Sequence, residues 1–329
     1  MSSYYFIFTL SKPMTFRVLV TGANGFVGQA VIKRLKQETH IDVRQALRLI
    51  NSSGNDLVAV GDIHSATDWT NALGGVDVVV HCAARVHVMN ETAEQPLALF
   101  RSVNVEGTKN LAIQAANAGV KRFVFVSSVK VNGEKTTTPF NHMSTPAPAD
   151  PYGISKAEAE AELWKIAKKT GMEGVIVRPP LVYGPMVKAN FQRLMRIVEK
   201  QIPLPFGAVN NRRSMIFVDN LADLIFQCVV HPAAPSQTFL ASDGSDLSTP
   251  ELIRQLASAM GRKPRLLNVP TNWMTAVAAL LGKAEFADRL LGSLEVDISR
   301  TCQILDWHPP FSVEVGMKTT VNSANSCCQ

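Results

Sequence analysis

Short apolar runs alternate with helical stretches through the first half of the chain. Phe16-Arg-Val-Leu-Val20, Val43 to Leu47, Leu57-Val-Ala-Val60, Val76-Asp-Val-Val-Val80, Arg122 to Val126 and Val175-Ile-Val177 are apolar and rich in β-branched residues. Each is short and, except for Val43 to Leu47 with its Arg44 and Gln45, almost uninterrupted, as a strand buried on both faces must be. Between them the period turns helical. Val27, Ala30, Val31 and Leu35 fall near one face of a helix expected over about Phe26–Gln37, and longer helices are expected near 96–118 and 152–170. This alternation predicts an α/β fold, a doubly wound parallel sheet with right-handed crossovers and helices on both faces. After Arg178-Pro-Pro180 the pattern loosens. Helices are expected near Phe191–Lys200, Asn220–Val230, Pro250–Met260 and Asn272–Leu281. Pro203, Pro205 and Gly207 mark a loop, and Thr238-Phe-Leu-Ala241 is expected to return to the main sheet.

The first strand stops at Thr21-Gly-Ala-Asn-Gly-Phe-Val-Gly28, where Gly22, Gly25 and Gly28 are spaced three apart. In a Rossmann-type turn the first glycine permits the tight bend and the second lets backbone approach a pyrophosphate. The third lets the helix pack close on the strand. Asn24, Phe26 and Val27 complete the loop, and the helix N-terminus offers free N–H groups to the phosphates. A ribose 2′-hydroxyl reader is usually an acid at the end of the second strand. Here Arg48 stands there, with Arg44 nearby. An arginine favours a 2′-phosphate, hence NADP over NAD; the plainer reading is a solvated surface arginine. Asp62, followed by Ile63, is placed to accept from the adenine amino group, or is a simple turn aspartate. His81-Cys-Ala-Ala84 closes the fourth strand, so Cys82, Ala83 and Ala84 are expected along the cofactor, with His81 packed beside it.

Tyr152 and Lys156 lie one helical turn apart in Tyr-Gly-Ile-Ser-Lys. A tyrosine beside an ammonium can exchange a proton with a hydroxyl or carbonyl while a nicotinamide exchanges hydride at the same carbon. Its pKa, ordinarily near 10, has to fall for that work at neutral pH.

Composition narrows the partners. The chain has 329 residues, 46% of them hydrophobic, and a net charge of +6. It has no basic block interleaved with aromatics, so an anionic small substrate fits better than nucleic acid. Cysteines 82, 228, 302, 327 and 328 and seven histidines show no metal-ligand spacing, and no metal is expected; His81 and His87 flank a strand end. The odd cysteine count reads as a reduced, cytoplasmic setting. Trp273 to Leu281 is the best apolar stretch and is about half a membrane span. Tyr4 to Leu10 is apolar but lacks a basic leader region.

The ordered series Thr21–Gly28, Gly61-Asp62, His81–Ala84, Asn104-Val-Glu-Gly-Thr108, Ser127-Ser128, Tyr152–Lys156 and Arg178-Pro179 resembles the extended short-chain dehydrogenase/reductases, sugar-nucleotide branch, over residues 16–315. That resemblance implies an NAD(P)-binding domain over 14–180 and a smaller substrate-binding lobe over 181–318. Residues 1–13 are read as an extension upstream of Met14, and 319–329 as a polar tail. It implies Tyr152 as general acid/base and Lys156 on the ribose hydroxyls. Ser128 is the hydroxyl partner of the reacting oxygen, with Ser127 as the neighbouring alternative. Arg178 is expected on the cofactor side, and Asn104 is expected to hold the backbone of the long helix. Arg213 is expected on the substrate diphosphate, a role Arg212 can exchange with it. Asn190 and Phe191 would meet the same diphosphate, Asn190 being otherwise a helix cap, and Pro205 and Phe206 would line the base. A homodimer through the helices near 96–118 and 152–170 is the further implication.

The run Ser-Ser-Val-Lys-Val-Asn-Gly-Glu and the segment 290–299 are similar to a subgroup that reduces UDP-4-keto-6-deoxy-N-acetylhexosamines for surface polysaccharide. Arg48 favours that NADP-dependent reading. The alternative is a UDP-glucose or UDP-N-acetylglucosamine 4-epimerase, which would retain NAD. A 4,6-dehydratase is disfavoured because Val129-Lys130 replaces its acid pair, and a non-catalytic NADP sensor because Tyr152 and Lys156 are both present.

Overall fold

The computed structural model describes residues 16–49, 54, 56–86, 95–187, 189–280, 282 and 290–326. The side chains of residues 189, 190, 325 and 326 are not among what it describes. The expected extension 1–13, His87, Cys327 and Cys328 lie outside the described residues.

The apolar runs become β1 (Phe16–Thr21), β2 (Ile41–Leu47), β3 (Leu57–Ala59), β4 (Val78–His81), β5 (Arg122–Val126) and β6 (Glu173–Arg178). Two three-residue strands, β7 (Leu181–Tyr183) and β8 (Met215–Phe217), pair only with each other, and β9 (Gln237–Leu240) rejoins the main sheet. The main sheet is parallel throughout, in the order β3-β2-β1-β4-β5-β6-β9.

Both faces are buried, as the continuous apolar runs require. Val18, Val20, Val78, Val80, Val124 and Val126 point to one core. Leu19, Val79, Phe123, Phe125 and Ile176 point to the other. The first face is covered by α1 (Phe26–Leu35) and, later in the chain, by helix 218–230. The second is covered by α2 (Thr70–Leu73), α4 (Thr108–Asn117) and α5 (Pro151–Thr170). α3 (Pro96–Phe100) runs into α4 through a π-helical segment, Arg101–Gly107, so the expected helix 96–118 is one rod with a widened middle.

The remaining helices are α6 (Ala189–Glu199), α7 (Val218–Val230), α8 (Thr249–Ala259), α9 (Thr271–Leu280), α10 (Ser299–Leu305) and α11 (Val313–Ser326). α11 corrects one expectation. Thr320 and Val321 are buried within it, so the chain from 319 packs as helix rather than trailing as a polar tail.

Candidate active site

β1 and β4 are neighbours, with Thr21 opposite His81, and the strand order turns outward in both directions from this pair. The crevice beyond their C-terminal ends is where an open α/β sheet binds its ligand. Gly22 takes φ +64°, and a Cβ there would stand 2.8 Å from the Ala83 nitrogen. A Cβ on Gly28 would come within 2.1 Å of the Gly22 carbonyl. Both glycines are therefore demanded by close backbone approach. Gly25 caps α1 without any side-chain hydrogen bond, and the first turn holds no acid. Asn24 and Gly25 are exposed, Phe26 and Val27 half-buried. An uncapped helix N-terminus behind a glycine turn fits a dinucleotide diphosphate. Cys82, Ala83 and Ala84 run half-buried beside it, and the Ala83 N–H donates to Thr21 Oγ1 at 3.3 Å.

Arg48 follows β2 directly, at the edge where a ribose reader belongs. Its Nε meets Asp62 Oδ1 at 2.7 Å, with both side chains more than 70% exposed. Ile63 packs against Gly107, where a Cβ would meet its Cγ2 at 2.6 Å. Arg44 is not part of this edge. Its guanidinium caps the C-terminal end of α2, donating to the carbonyls of Asn71, Ala72 and Gly74.

α5 carries the expected acid/base pair. Asp150 caps it, accepting from the Gly153 N–H at 2.7 Å, and Pro151 opens its first turn. Lys156 is buried, donates to the Val126 carbonyl at 2.8 Å and lies 4.4 Å from the Phe125 ring centroid. Burial pulls its pKa down to about 8, against the opposing pull of Cys82 and Glu160. Tyr152 stands in the first turn of the same helix. Burial, and then the Asp150 charge, push its pKa above the ordinary value.

Ser128 is half-buried and accepts from the Lys130 N–H at 3.2 Å, opening the 3₁₀ turn Val129–Val131. Ser127 is turned the other way. It is buried, and its hydroxyl donates to Glu160 Oε1 at 2.5 Å. Arg178 grips the same carboxylate from Nε at 2.9 Å and Nη2 at 2.5 Å, and reaches Asn132 Oδ1 at 3.1 Å. A carboxylate as deeply buried as Glu160 needs this full set of donors. The side chains of Ser127 and Arg178 are therefore held in a network behind the turn.

Asn104 does not hold its own helix. It accepts from the Arg85 N–H at 2.8 Å, donates to the Arg85 carbonyl at 3.0 Å and donates to Ser155 Oγ at 3.0 Å. It thus ties the loop after β4 to α5. His81 is packed as expected, with Nδ1 2.6 Å from Thr21 Oγ1 and Nε2 3.0 Å from Thr108 Oγ1. Burial, reinforced by Lys156, holds its pKa to about 3. The sequence reading passed over a cluster beneath the turn. Lys130 Nζ bonds Asp150 and meets Glu134 at 3.1 Å. A Cβ on Gly153 would stand 2.8 Å from the Lys130 carbonyl. The signals available were the lysine directly after Ser128-Val129 and the glycine directly after Tyr152.

In the second half, Arg213 is half-buried and donates to the Gly292 carbonyl at 3.0 Å. Burial lowers its pKa while Glu134 opposes that shift. Arg212 is exposed and held by Glu295 at 2.9 Å and Asp246 at 3.5 Å. Phe191 is corrected. It is 4% exposed and stacks on Tyr183, which puts it in the core. Asn190 lies in the first turn of α6, with its side chain outside those described. Pro205 and Phe206 are half-buried in the loop whose Leu204 bridges Leu266. A cleft of about 400 Å³ opens beside Gly292, bordered by Lys135, Asn210, Thr271 and Thr275.

Residues 18–240 match the family described as NAD dependent epimerase/dehydratase. The chain belongs to that family. The match runs from β1 through β9 and includes the glycine turn, Ser128, Tyr152 and Lys156. The family is NAD-dependent and enzymatic, and the resemblance to extended short-chain dehydrogenase/reductases holds. A UDP-glucose 4-epimerase of Vibrio cholerae is 47% identical over 319 residues, covering 96% of this chain and 97% of that protein. A 3-beta-hydroxysteroid dehydrogenase of Mycolicibacterium neoaurum is 30% identical over 337 residues, covering 92% and 89%. Among solved structures, a UDP-glucuronic acid 4-epimerase from Bacillus cereus in complex with NAD superposes with TM-score 0.77 at 19% identity, covering 94% of this chain and 97% of that one. That last likeness is one of fold.

Proposed function

We propose that this chain is a UDP-sugar 4-epimerase that retains NAD through each cycle. The observation that carries the reading is the near-full-length likeness to the Vibrio cholerae UDP-glucose 4-epimerase. It supports the epimerase alternative better than the reductase reading favoured by the sequence, whose main support was Arg48. That arginine is paired with Asp62, so the ribose edge carries little net charge to attract a 2′-phosphate. NAD, when bound, would supply reversible hydride chemistry at C4 of the sugar, and return of the hydride to the opposite face is what inverts that carbon. The chain's residues handle the proton and the orientation. Tyr152 would exchange the proton of the C4 oxygen, Ser128 would donate to that oxygen, and Lys156 would hold the ribose hydroxyls. Gly22, Asn24, Gly25, Phe26, Val27 and Gly28 would cradle the diphosphate of the cofactor. Arg213, with Asn190 and the Pro205-Phe206 loop, would receive the nucleotide-sugar at the cleft beside Gly292.

The unpaired cysteines 82, 228 and 302 fit a reducing, cytoplasmic setting, and a supply role for surface polysaccharide fits a UDP-sugar product. The helix faces on which a homodimer was expected carry ion pairs, Arg101–Glu158 and Lys109–Glu162, so any dimer there would be charge-rich. No described helix is long and apolar enough to cross a membrane.

The second reading is reduction of a UDP-4-keto-6-deoxy-N-acetylhexosamine with NADPH, favoured by Arg48 and the Ser127-Ser128-Val129-Lys130 run. One experiment separates them. Protein freed of its dinucleotide by denaturation should release NAD, and native protein with no added cofactor should convert UDP-glucose to UDP-galactose. Protein that purifies empty, prefers NADPH and is inert toward UDP-glucose would sink the epimerase reading.

A further inference from the structure

α9 is inverted relative to an ordinary surface helix. It carries no charged residue and buries none of its side chains. Trp273, Val277 and Leu280, at positions i, i+4 and i+7, form one stripe that is 71%, 56% and 89% exposed. A globular protein usually turns such a stripe into its core. The segment leading into the helix continues the pattern, with Leu267 53% exposed and Arg262, Lys263 and Arg265 all exposed. No Asp or Glu occurs from Gly261 through Leu280. On its other side the helix gives Thr271 and Thr275 to the cleft beside Gly292.

We propose that α9 and the basic segment before it dock on an anionic lipid bilayer. Trp273, Val277 and Leu280 enter the boundary between headgroups and acyl chains, and Arg262, Lys263 and Arg265 meet the lipid phosphates. Charge complementarity selects this occupant. A protein interface sets its apolar centre within a mixed polar rim, whereas here cations and a tryptophan flank an apolar stripe, with no acid between Gly261 and Leu280 to repel an anionic surface. The stripe lies opposite Thr271 and Thr275, so docking leaves the cleft side of α9 facing away from the membrane. The identity of that cleft as the sugar site rests on the proposed function; the docking does not.

The test is co-sedimentation of the full chain with phosphatidylglycerol-containing vesicles and with pure phosphatidylcholine vesicles. Binding is expected to the first only, to weaken with salt, and to shift tryptophan emission to the blue. Trp273→Phe should abolish the shift, and Leu280→Ser should abolish sedimentation. Each of Arg262→Gln, Lys263→Gln and Arg265→Gln should weaken binding about fivefold. These side chains are exposed, so circular dichroism and sugar turnover in solution should be unchanged. A full chain that stays in the supernatant with anionic vesicles overturns the proposal and leaves the stripe to a protein partner. So does binding that survives Leu280→Ser. Concentration-dependent self-association that Trp273→Ser abolishes would assign the stripe to a second copy instead. Because binding is read without substrate, its failure is distinct from failure of the epimerase assay.

Discussion

Lys130 pairs with Asp150, whose charge bears on Tyr152. Asp150 sits two residues from the tyrosine, and its charge adds to the burial that raises the phenol. Burial works against ionisation of Asp150 itself, but the Lys130 ammonium and the Gly153 N–H hold its carboxyl below the usual range. Removing the ammonium leaves the carboxylate facing Tyr152 with only the helix N–H and the neighbouring Glu134. Lys130→Met should therefore move the tyrosine limb of the pH–rate profile upward and cut kcat at neutral pH by about tenfold, one pKa unit's worth. Lys130→Arg should restore both. An unchanged pH profile in the methionine variant would confine Lys130 to a structural role. His81 makes a second residue-scale prediction. The fold favours its neutral ring, with a pKa of about 3 against 6.5. As pH falls below 6.5 the unfolded chain takes up the proton first, so stability falls, by about 1.4 kcal/mol per unit until about pH 3. Urea midpoints followed down this range should drop less steeply in His81→Gln than in the parent, though the variant starts lower because two buried hydroxyls lose a partner.

Elements position these residues, and α5 does so through one missing side chain. A Cβ on Gly153 would press 2.8 Å from the Lys130 carbonyl and 3.1 Å from Asp150 Oδ1. Gly153→Ala should push the first turn of α5 away from the Ser128 turn and carry Tyr152 with it. We expect kcat to fall roughly tenfold to a hundredfold with KM nearly unchanged, the cost of a small misplacement at a reacting centre. α8 supplies the control. Its capping box pairs Ser248 and Glu251 one residue past Leu247, whose backbone pairs with Arg213, and neither touches Tyr152, so Ser248→Ala should cost about 1 kcal/mol in denaturant unfolding and leave kcat at saturating substrate alone. Equal losses of turnover in both variants would mean that general destabilisation, not geometry, is being measured.

The same scale shows why part of the molecule was legible from sequence. Strands buried on both faces must be apolar runs, and a turn packed on its own carbonyls must be glycine. Tyr152 and Lys156 announce themselves because a helix fixes their spacing. β7 and β8 are three residues each and too short to show a period. The choice between Ser127 and Ser128 depended on Glu160, thirty-three residues away. Phe191 was misread although its signal was present. It stands at helical spacing with Met195 and Val198, and all three are buried.

At the scale of the whole molecule, the expected boundary near residue 180 crosses packing that looks hard to divide. β9 from the second half completes the sheet beside β6. α1 from the first half lies against α7 from the second, with Arg34 paired to Asp223 at 2.7 Å and set 3.7 Å over the Phe226 ring. Arg122 on β5 caps the end of α7, donating to the carbonyls of Cys228, Val229 and His231. One hydrophobic cluster contains Val18, Phe191, Leu256, Trp307 and Val321. Cutting after residue 180 would strip α7 from a whole sheet face and leave Val175, Ile176 and Val177 as an apolar edge strand, a template for aggregation. We therefore expect the full chain to unfold in one calorimetric transition, with van't Hoff and calorimetric enthalpies equal. The fragment 14–180 should show no cooperative melt and should aggregate or bind a hydrophobic dye. A fragment that melts cooperatively and binds NAD would show that the cofactor domain is independent, and that the second half is held by contacts it does not need in order to fold.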